Sequence, residues 1–218
     1  MYYCRTSLLR LSFVALLVLF IQLSLSISPV LSQDITIGTQ TWTSKNLDVS
    51  TFRNGEAIPE AKSKEEWSKA GDNKTAAFCY YEFNANNGKI YGKLYNWYAV
   101  SDTRGLAPKG YHIPSDAEWT ILTEFLGGSE IAGKKMKSKD GWSDDGNGDN
   151  SSGFNGLPGG LCGFYGDFGS ITDYGLWWSS SENNAGYAWF RGLYGDNTKV
   201  SRSNFDEGNG FSVRCLRD

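Results

Sequence analysis

One histidine, His112, is all that the 218 residues contain. Imidazole is the group most often recruited to acid–base chemistry and metal ligation near neutral pH, so any such site would have to be built around this residue. The pattern G-x-S-x-G does not occur, which removes the nucleophile elbow that could make a hydrolase serine of "WWSSSE". No C-x-x-C occurs, excluding a dithiol redox motif or a zinc ribbon. Basic residues form no stripe. The nearest approach, "GKKMKSK" at 133–139, reads as one solvated turn, and acidic residues outnumber basic ones 24 to 21. Phosphate neutralisation needs clustered Lys and Arg, so no nucleic-acid partner is expected. Long helical periodicity is scarce. Glycine is not, at 26 residues, and aromatics make up 15%; together these indicate a loop-rich fold pinned by aromatic packing.

The first 32 residues read as a secretory signal: Arg5 and Arg10, the apolar run Leu11 to Ile21, then small residues at Val30 and Ser32 that place cleavage before Gln33. An uncleaved anchor is the rival reading, but Gln22 and interleaved serines interrupt the roughly 20 apolar residues a spanning helix needs. After cleavage no membrane span is expected. Cys4 lies ahead of the apolar run, not after it, and would leave with the signal. Residues 33–218 form one domain carrying 19 basic and 24 acidic residues. Cys79, Cys162 and Cys215 remain; in an oxidising compartment two are expected to pair and one to stay as a small buried hydrophobe.

Along that domain, "DITIGTQTWTSKNL" alternates around a Gly-Thr corner and predicts a strand or hairpin. Ser63 and Glu66 form a capping box for a short helix with Trp67 as buried anchor and Gly71 at its C-terminal end. In "AAFCYYEFNANNGKIYGKLYNWYAV", Asn-Asn-Gly predicts a turn. "GYHI" reads as a short strand feeding a second helix capped by Ser115 and Glu118, with Ala117, Ile121, Leu122, Phe125 and Leu126 at helical spacing and Gly127-Gly128 ending the run. His112, just before that turn, is expected to pack and bond nearby backbone. Residues 140–160 are read as one long glycine-rich loop, a length that usually marks function or disorder. "GLWWSSSE", "GYAWFRGLY", "TKVSRSNF" and "GFSVRCLRD" predict an antiparallel meander.

These pieces, in this order, resemble the Fibrobacter succinogenes major paralogous domain. The matching segments are "IGTQTWTSKNLDV", "YGKLYNWYAV", "RGLAPKGYHIPSDAEWTIL", "AGKKMKS", "SGFNGLPGG", "WWSSSE" and "GFSVRCLRD", which span roughly residues 35–218. The resemblance implies an α+β, C-type-lectin-like fold: paired N- and C-terminal strands, two short helices flanking an antiparallel sheet, and a long loop region as the variable face. It implies no activity. It also favours a Cys79–Cys215 disulfide, with Cys162–Cys215 as alternative, because other members carry cysteines at 79 and 215; where some members have a further cysteine before "PKGYHIP", this chain has Ala107.

Formylglycine-generating enzymes, similar in fold, use two cysteines close in sequence, and no such pair exists here; fold likeness alone would not transfer the activity. The Glu-Pro-Asn, Gln-Pro-Asp and Trp-Asn-Asp triplets of sugar-binding C-type lectins are absent too. Calcium is an open cofactor reading. Asp144, Asp145, Asn147, Asp149 and Asn150 offer hard oxygen ligands in "DDGNGDN", against the simpler reading of a polar surface turn. Ligand-binding candidates are Trp178, Trp189 and Tyr194 as aromatic platforms, with Glu182, Asn183 and Arg191 as rim, on a face formed by the 140–160 loop and the turns near 182–186 and 194–198. The functional expectation is a secreted or cell-surface, non-enzymatic binding module for an extracellular glycan or surface protein. The alternatives are an enzyme on the shared scaffold and a structural envelope component.

Overall fold

The computed structural model of the protein describes Met1 and residues 34–218. The expected leader and its cleavage site lie outside the described residues. The opening hairpin forms where the alternation placed it: β1 (Asp34–Ile37) and β2 (Gln40–Thr43) pair antiparallel. Gly38 turns the corner with φ +62°, and a Cβ there would fall 2.8 Å from the Phe125 ring. Both the conformation and the close approach call for glycine.

The chain's last strand, β11 (Leu216–Arg217), slots between β2 and β5 (Tyr111–His112), giving the sheet order β1-β2-β11-β5. Leu216 faces Trp42 on one side and His112 on the other. The C-terminal strand thus pairs with the second strand of the N-terminal hairpin rather than with the first. Arg217 closes the contact by an ion pair to Asp34.

Among the described residues five α-helices form instead of two. α1 (Lys64–Asp72) starts at Ser63, whose hydroxyl accepts from Glu66 N, and buries Trp67. Gly71 lies inside its last turn, not beyond it, and a Cβ there would meet the Phe164 ring at 3.1 Å. β3 (Phe78–Cys79) and β4 (Leu94–Tyr95) form a two-stranded ribbon. Between them α2 (Ala85–Tyr91) absorbs the Asn-Asn-Gly read as a turn: Asn84 caps it by accepting from Asn86 N, and Gly88 lies against Tyr80 where a Cβ would come within 2.3 Å. α3 (Trp97–Val100) follows, capped by Asn96.

α4 (Asp116–Phe125) has the full reciprocal capping box of Ser115 and Glu118. Its buried stripe is Trp119, Leu122, Thr123 and Leu126, while Ile121 and Phe125 point outward. α5 (Ser129–Met136) replaces the solvated turn expected at 133–139. Ala132 and Met136, one helical turn apart, are buried, as is Lys137 just beyond.

The second sheet has the order β10-β9-β8-β6-β7, from β6 (Gly159–Cys162), β7 (Phe168–Ile171), β8 (Tyr174–Asn184), β9 (Tyr187–Tyr194) and β10 (Val200–Asp206). β8, β9 and β10 are the expected meander. The fourth run leaves it. Residues 210–212 make single bridges to Cys162, Tyr95 and Trp177 on their way to the first sheet. The architecture is mixed α+β with mainly antiparallel pairing.

Adjacent residues of a strand face opposite sides, and Trp177 and Trp178 are both fully buried because each side has its own core. Trp177 joins Trp42, Trp119 and Phe154; Trp178 joins Tyr95, Phe190 and Phe211. Burying a large apolar side chain stabilises by roughly 1.5–3 kcal/mol, so the aromatic content is structural capital here.

Candidate functional site

Segment 141–158 contains no helix or strand, yet it is packed. Trp142 and Phe154 are buried, and Gly148 lies so close to the end of α5 that a Cβ would sit 2.4 Å from Lys137 O. Lys137, itself buried, reaches the turn after β9, donating to Tyr194 O at 3.0 Å and Asn197 O at 2.8 Å. Burial holds its pKa below the usual lysine value, against the opposing pull of Asp196. Ser143 N donates to Thr172 O and Gly195 N to Asp173 O. Three turns therefore meet at one end of the meander.

Between them lies a cleft of about 230 Å³ lined by Ser143, Asp144, Asp173, Tyr174, Gly195 and Asp196. Tyr174 is partly exposed and packs edge-on to Tyr194, ring centroids 4.7 Å apart at 87°. The Ser143 hydroxyl donates to Asp173. Asp144 and Asp145 hold left-handed backbone (φ +49° and +61°), and so does β-branched Thr172 at φ +68°. Such conformations cost of order 1–3 kcal/mol each and concentrate at functional sites. Chemically the cleft offers carboxylate acceptors, a hydroxyl and an aromatic face. It is smaller than the roughly 300–1,000 Å³ of pockets that enclose whole ligands of drug size, and fits one polar unit of a larger molecule.

The residues singled out by sequence are divided by this geometry. Asp144 lines the cleft, and Tyr194 packs edge-on against Tyr174 in its wall. Trp178 is fully buried, donating its indole N–H to Tyr95 O at 2.9 Å, and offers no platform. Arg191 is also buried, clamped to Asp116 Oδ1 at 2.7 Å, and forms no rim. Trp189 is half-buried with the Arg202 guanidinium 3.5 Å over its ring. Exposed Glu182 and half-buried Asn183 sit at the far end of β8, beside the Ala185-Gly186 turn. Seven residues of β9 lie between that turn and Tyr194, roughly 25 Å at strand rise. The 182–186 turn and the long loop are not one surface.

Three of the five calcium candidates already have an oxygen engaged within the loop. Asn147 Oδ1 accepts from Trp142 N at 3.1 Å, Asp149 Oδ1 from Ser151 N at 2.8 Å, and Asn150 Oδ1 from Asn155 N at 2.8 Å. Their oxygens shape turns. Among the described residues no three His, Cys, Asp or Glu side chains are gathered to hold a metal. Cys79, Cys162 and Cys215 are all unbonded in this structure, and Cys215 sits in a different core cluster from the other two, which separates the partners of both the 79–215 disulfide and its 162–215 alternative.

Sequence reasoning passed over Ser143, Asp173, Tyr174 and Asp196. The signal was the mirrored pair "DYG" at 173–175 and "YGD" at 194–196, in which the two tyrosines face each other across the β8–β9 ladder.

His112 lines a second cleft, of about 380 Å³, with Arg53, Asp102, Ser115, Glu118 and Ser180 among its walls. Its ring does not bond backbone as expected. Nε2 meets Glu118 Oε1 and Nδ1 meets Asp218 Oδ1, both at 2.9 Å. Glu118 Oε2 also accepts from Ser115 N and from the Ser115 hydroxyl at 2.8 Å. The carboxylate thus stands between hydroxyl and imidazole, where a serine nucleophile would need direct contact with its base.

Burial pulls the His112 pKa down, but bonds to Asp218 and Glu118 outweigh it and leave the pKa raised. For Glu118 burial acts upward and is outweighed by the Ser115 bonds and His112, leaving it lowered. A raised histidine stabilises below its unfolded value of 6.5 and loses that stabilisation as pH climbs through the folded value. A lowered carboxylate stabilises above 4.5 and loses it as pH falls. The clip is therefore strongest between about 4.5 and 6.5. Thermal midpoints of the wild type should fall as pH rises from 6.5, whereas His112→Gln should show a flatter profile over that range; parallel profiles would contradict the clip.

Among the described residues no helix is long and apolar enough to cross a membrane. The family model described as Fibrobacter succinogenes major domain matches residues 35–217. No curated protein and no solved structure matches the chain.

Proposed function

The chain belongs to the Fibrobacter succinogenes major domain family, and we propose that it is an exported, non-enzymatic binding module of C-type-lectin-like fold. The arginine-led apolar leader supports export to the cell surface or beyond. The fold reading is supported by a tail that returns beside the N-terminal hairpin and a long loop packed over the meander's end. The ligand is a polyhydroxylated one, a glycan, and the observation that carries this is the Ser143–Asp173–Tyr174–Asp196 cleft. Carboxylates accept hydrogen bonds from sugar hydroxyls, and a tyrosine ring covers the apolar face of a sugar while its hydroxyl stays wet. The enzyme alternative would have to work at the His112 cleft, where the Glu118 carboxylate is already engaged by Ser115 and His112.

Binding of the protein to glycan and surface-protein arrays tests the reading. A glycan hit should weaken about tenfold or more, ~1.4 kcal/mol, in Tyr174→Ala and in Asp173→Asn, with the fold intact by circular dichroism. Hits unaffected by both changes, hits confined to proteins, or self-association by light scattering with no glycan bound would overturn it.

A further inference from the structure

Among the described residues, Cys79 and Cys162 are the cysteines that fall in one core cluster. They share it with Ala61, Trp67, Tyr81 and Leu94, and both are fully buried. Each is held by its own pairing. Cys79 sits on β3 opposite Leu94, and Cys162 exchanges two backbone bonds with Gly210, at 3.0 and 2.7 Å. Cys215 lies elsewhere, in the same core cluster as Ala107. With alanine at 107, no thiol in that cluster is available to it.

We propose that Cys79 and Cys162 are the pair that closes to a disulfide when the chain folds in an oxidising compartment, and that Cys215 stays a thiol. The chemistry is thiol–disulfide exchange. One cysteine thiolate attacks a sulfur of a small disulfide or a thiol–disulfide oxidase, forming a mixed disulfide and releasing a thiolate. The second cysteine thiolate then displaces the remaining sulfur of the donor. The protein gives up two protons and two electrons, and the donor leaves as two thiols. Burial and the neighbouring thiol push Cys79 well above the ordinary cysteine pKa, and the thiolate is the reacting form. The bridge therefore forms during folding, before the cluster closes, and resists exchange afterwards.

Refolding the full chain in mixed oxidised and reduced glutathione, alkylating, and mapping peptides without reductant tests this. The expected map joins the Cys79 and Cys162 peptides and finds Cys215 unpaired. Cys215→Ser should keep the bridge, and Cys162→Ser should leave Cys79 alkylated. The oxidised protein should melt several degrees above the reduced one in wild type and in Cys215→Ser, and not in Cys162→Ser. Cys79 joined to Cys215 or to Cys4, or Cys79 and Cys162 both recovered as free thiols, would overturn the assignment. Protein isolated from the periplasm of an expression host gives the same map without refolding, so a refolding failure leaves the test standing.

Discussion

Trp178→Ala should destabilise the fold by roughly 3–5 kcal/mol, the usual cost of deleting a large buried aromatic. The indole stacks on Phe211 with centroids 4.2 Å apart at 27°, meets Phe190 edge-on, and donates to Tyr95 O. Tyr95 O also accepts from Phe211 N at 3.2 Å, so removing the indole does not orphan it. The loss is therefore mainly cavity and lost ring contact. Trp178→Phe, which keeps most of the volume, should cost clearly less. Urea denaturation with an unchanged slope measures both. Tyr174→Ala, at a partly exposed position, should stay within about 0.5 kcal/mol of wild type. A stable Trp178→Ala protein that had lost its ligand would instead mean that this tryptophan is a binding platform.

The contrast shows how far local pattern reaches. The hairpin at 34–43 and the Ser115 capping box were legible because each is specified by a few neighbouring residues: alternation around a glycine, and a hydroxyl three positions before a glutamate. α5 was not. Its polar "AGKKMKS" hides a buried stripe of only Ala132, Gly133 and Met136, and the buried Lys137 just beyond it finds its carbonyls nearly sixty residues away. Nor was the burial of Trp178 and Arg191. Alternation says that neighbours on a strand face opposite ways, but not that both faces are covered, and α4 with Asp116 covers the second. The cleft was half legible for a related reason. Asp144 and Tyr194 could each be suspected from composition, but their meeting depends on Lys137 and on the Ser143–Thr172 and Gly195–Asp173 bonds, contacts between segments distant in sequence.

Arg214 is where those distant segments are tied together, and its replacement should rival that of Trp178. Its guanidinium is fully buried, and among the described residues no carboxylate forms a salt bridge with it. It donates from Nη1 to Thr43 O at 2.7 Å and Phe154 O at 2.9 Å, from Nη2 to Asn155 O at 3.1 Å, and from Nε to Asn46 Oδ1 at 2.8 Å, lying 4.4 Å over the Phe154 ring. One side chain thus ties the N-terminal hairpin, the long loop and the C-terminal segment. Burial pushes its pKa down to about 9, which still leaves it charged at neutral pH. The buried charge carries a desolvation cost, yet three of its four partners are backbone carbonyls, which no substitution removes. Arg214→Ala leaves three of them without their donor and opens a cavity, at a net loss of about 3–5 kcal/mol. Arg214→Lys keeps the charge but not the planar fork, and an ammonium is the costlier cation to bury; it should still lose about 2 kcal/mol or more. Denaturant midpoints read both losses, and amide exchange over 142–156 should speed up in either variant. An Arg214→Lys protein as stable as wild type would mean that charge alone, not the fork, holds the loop against the sheet.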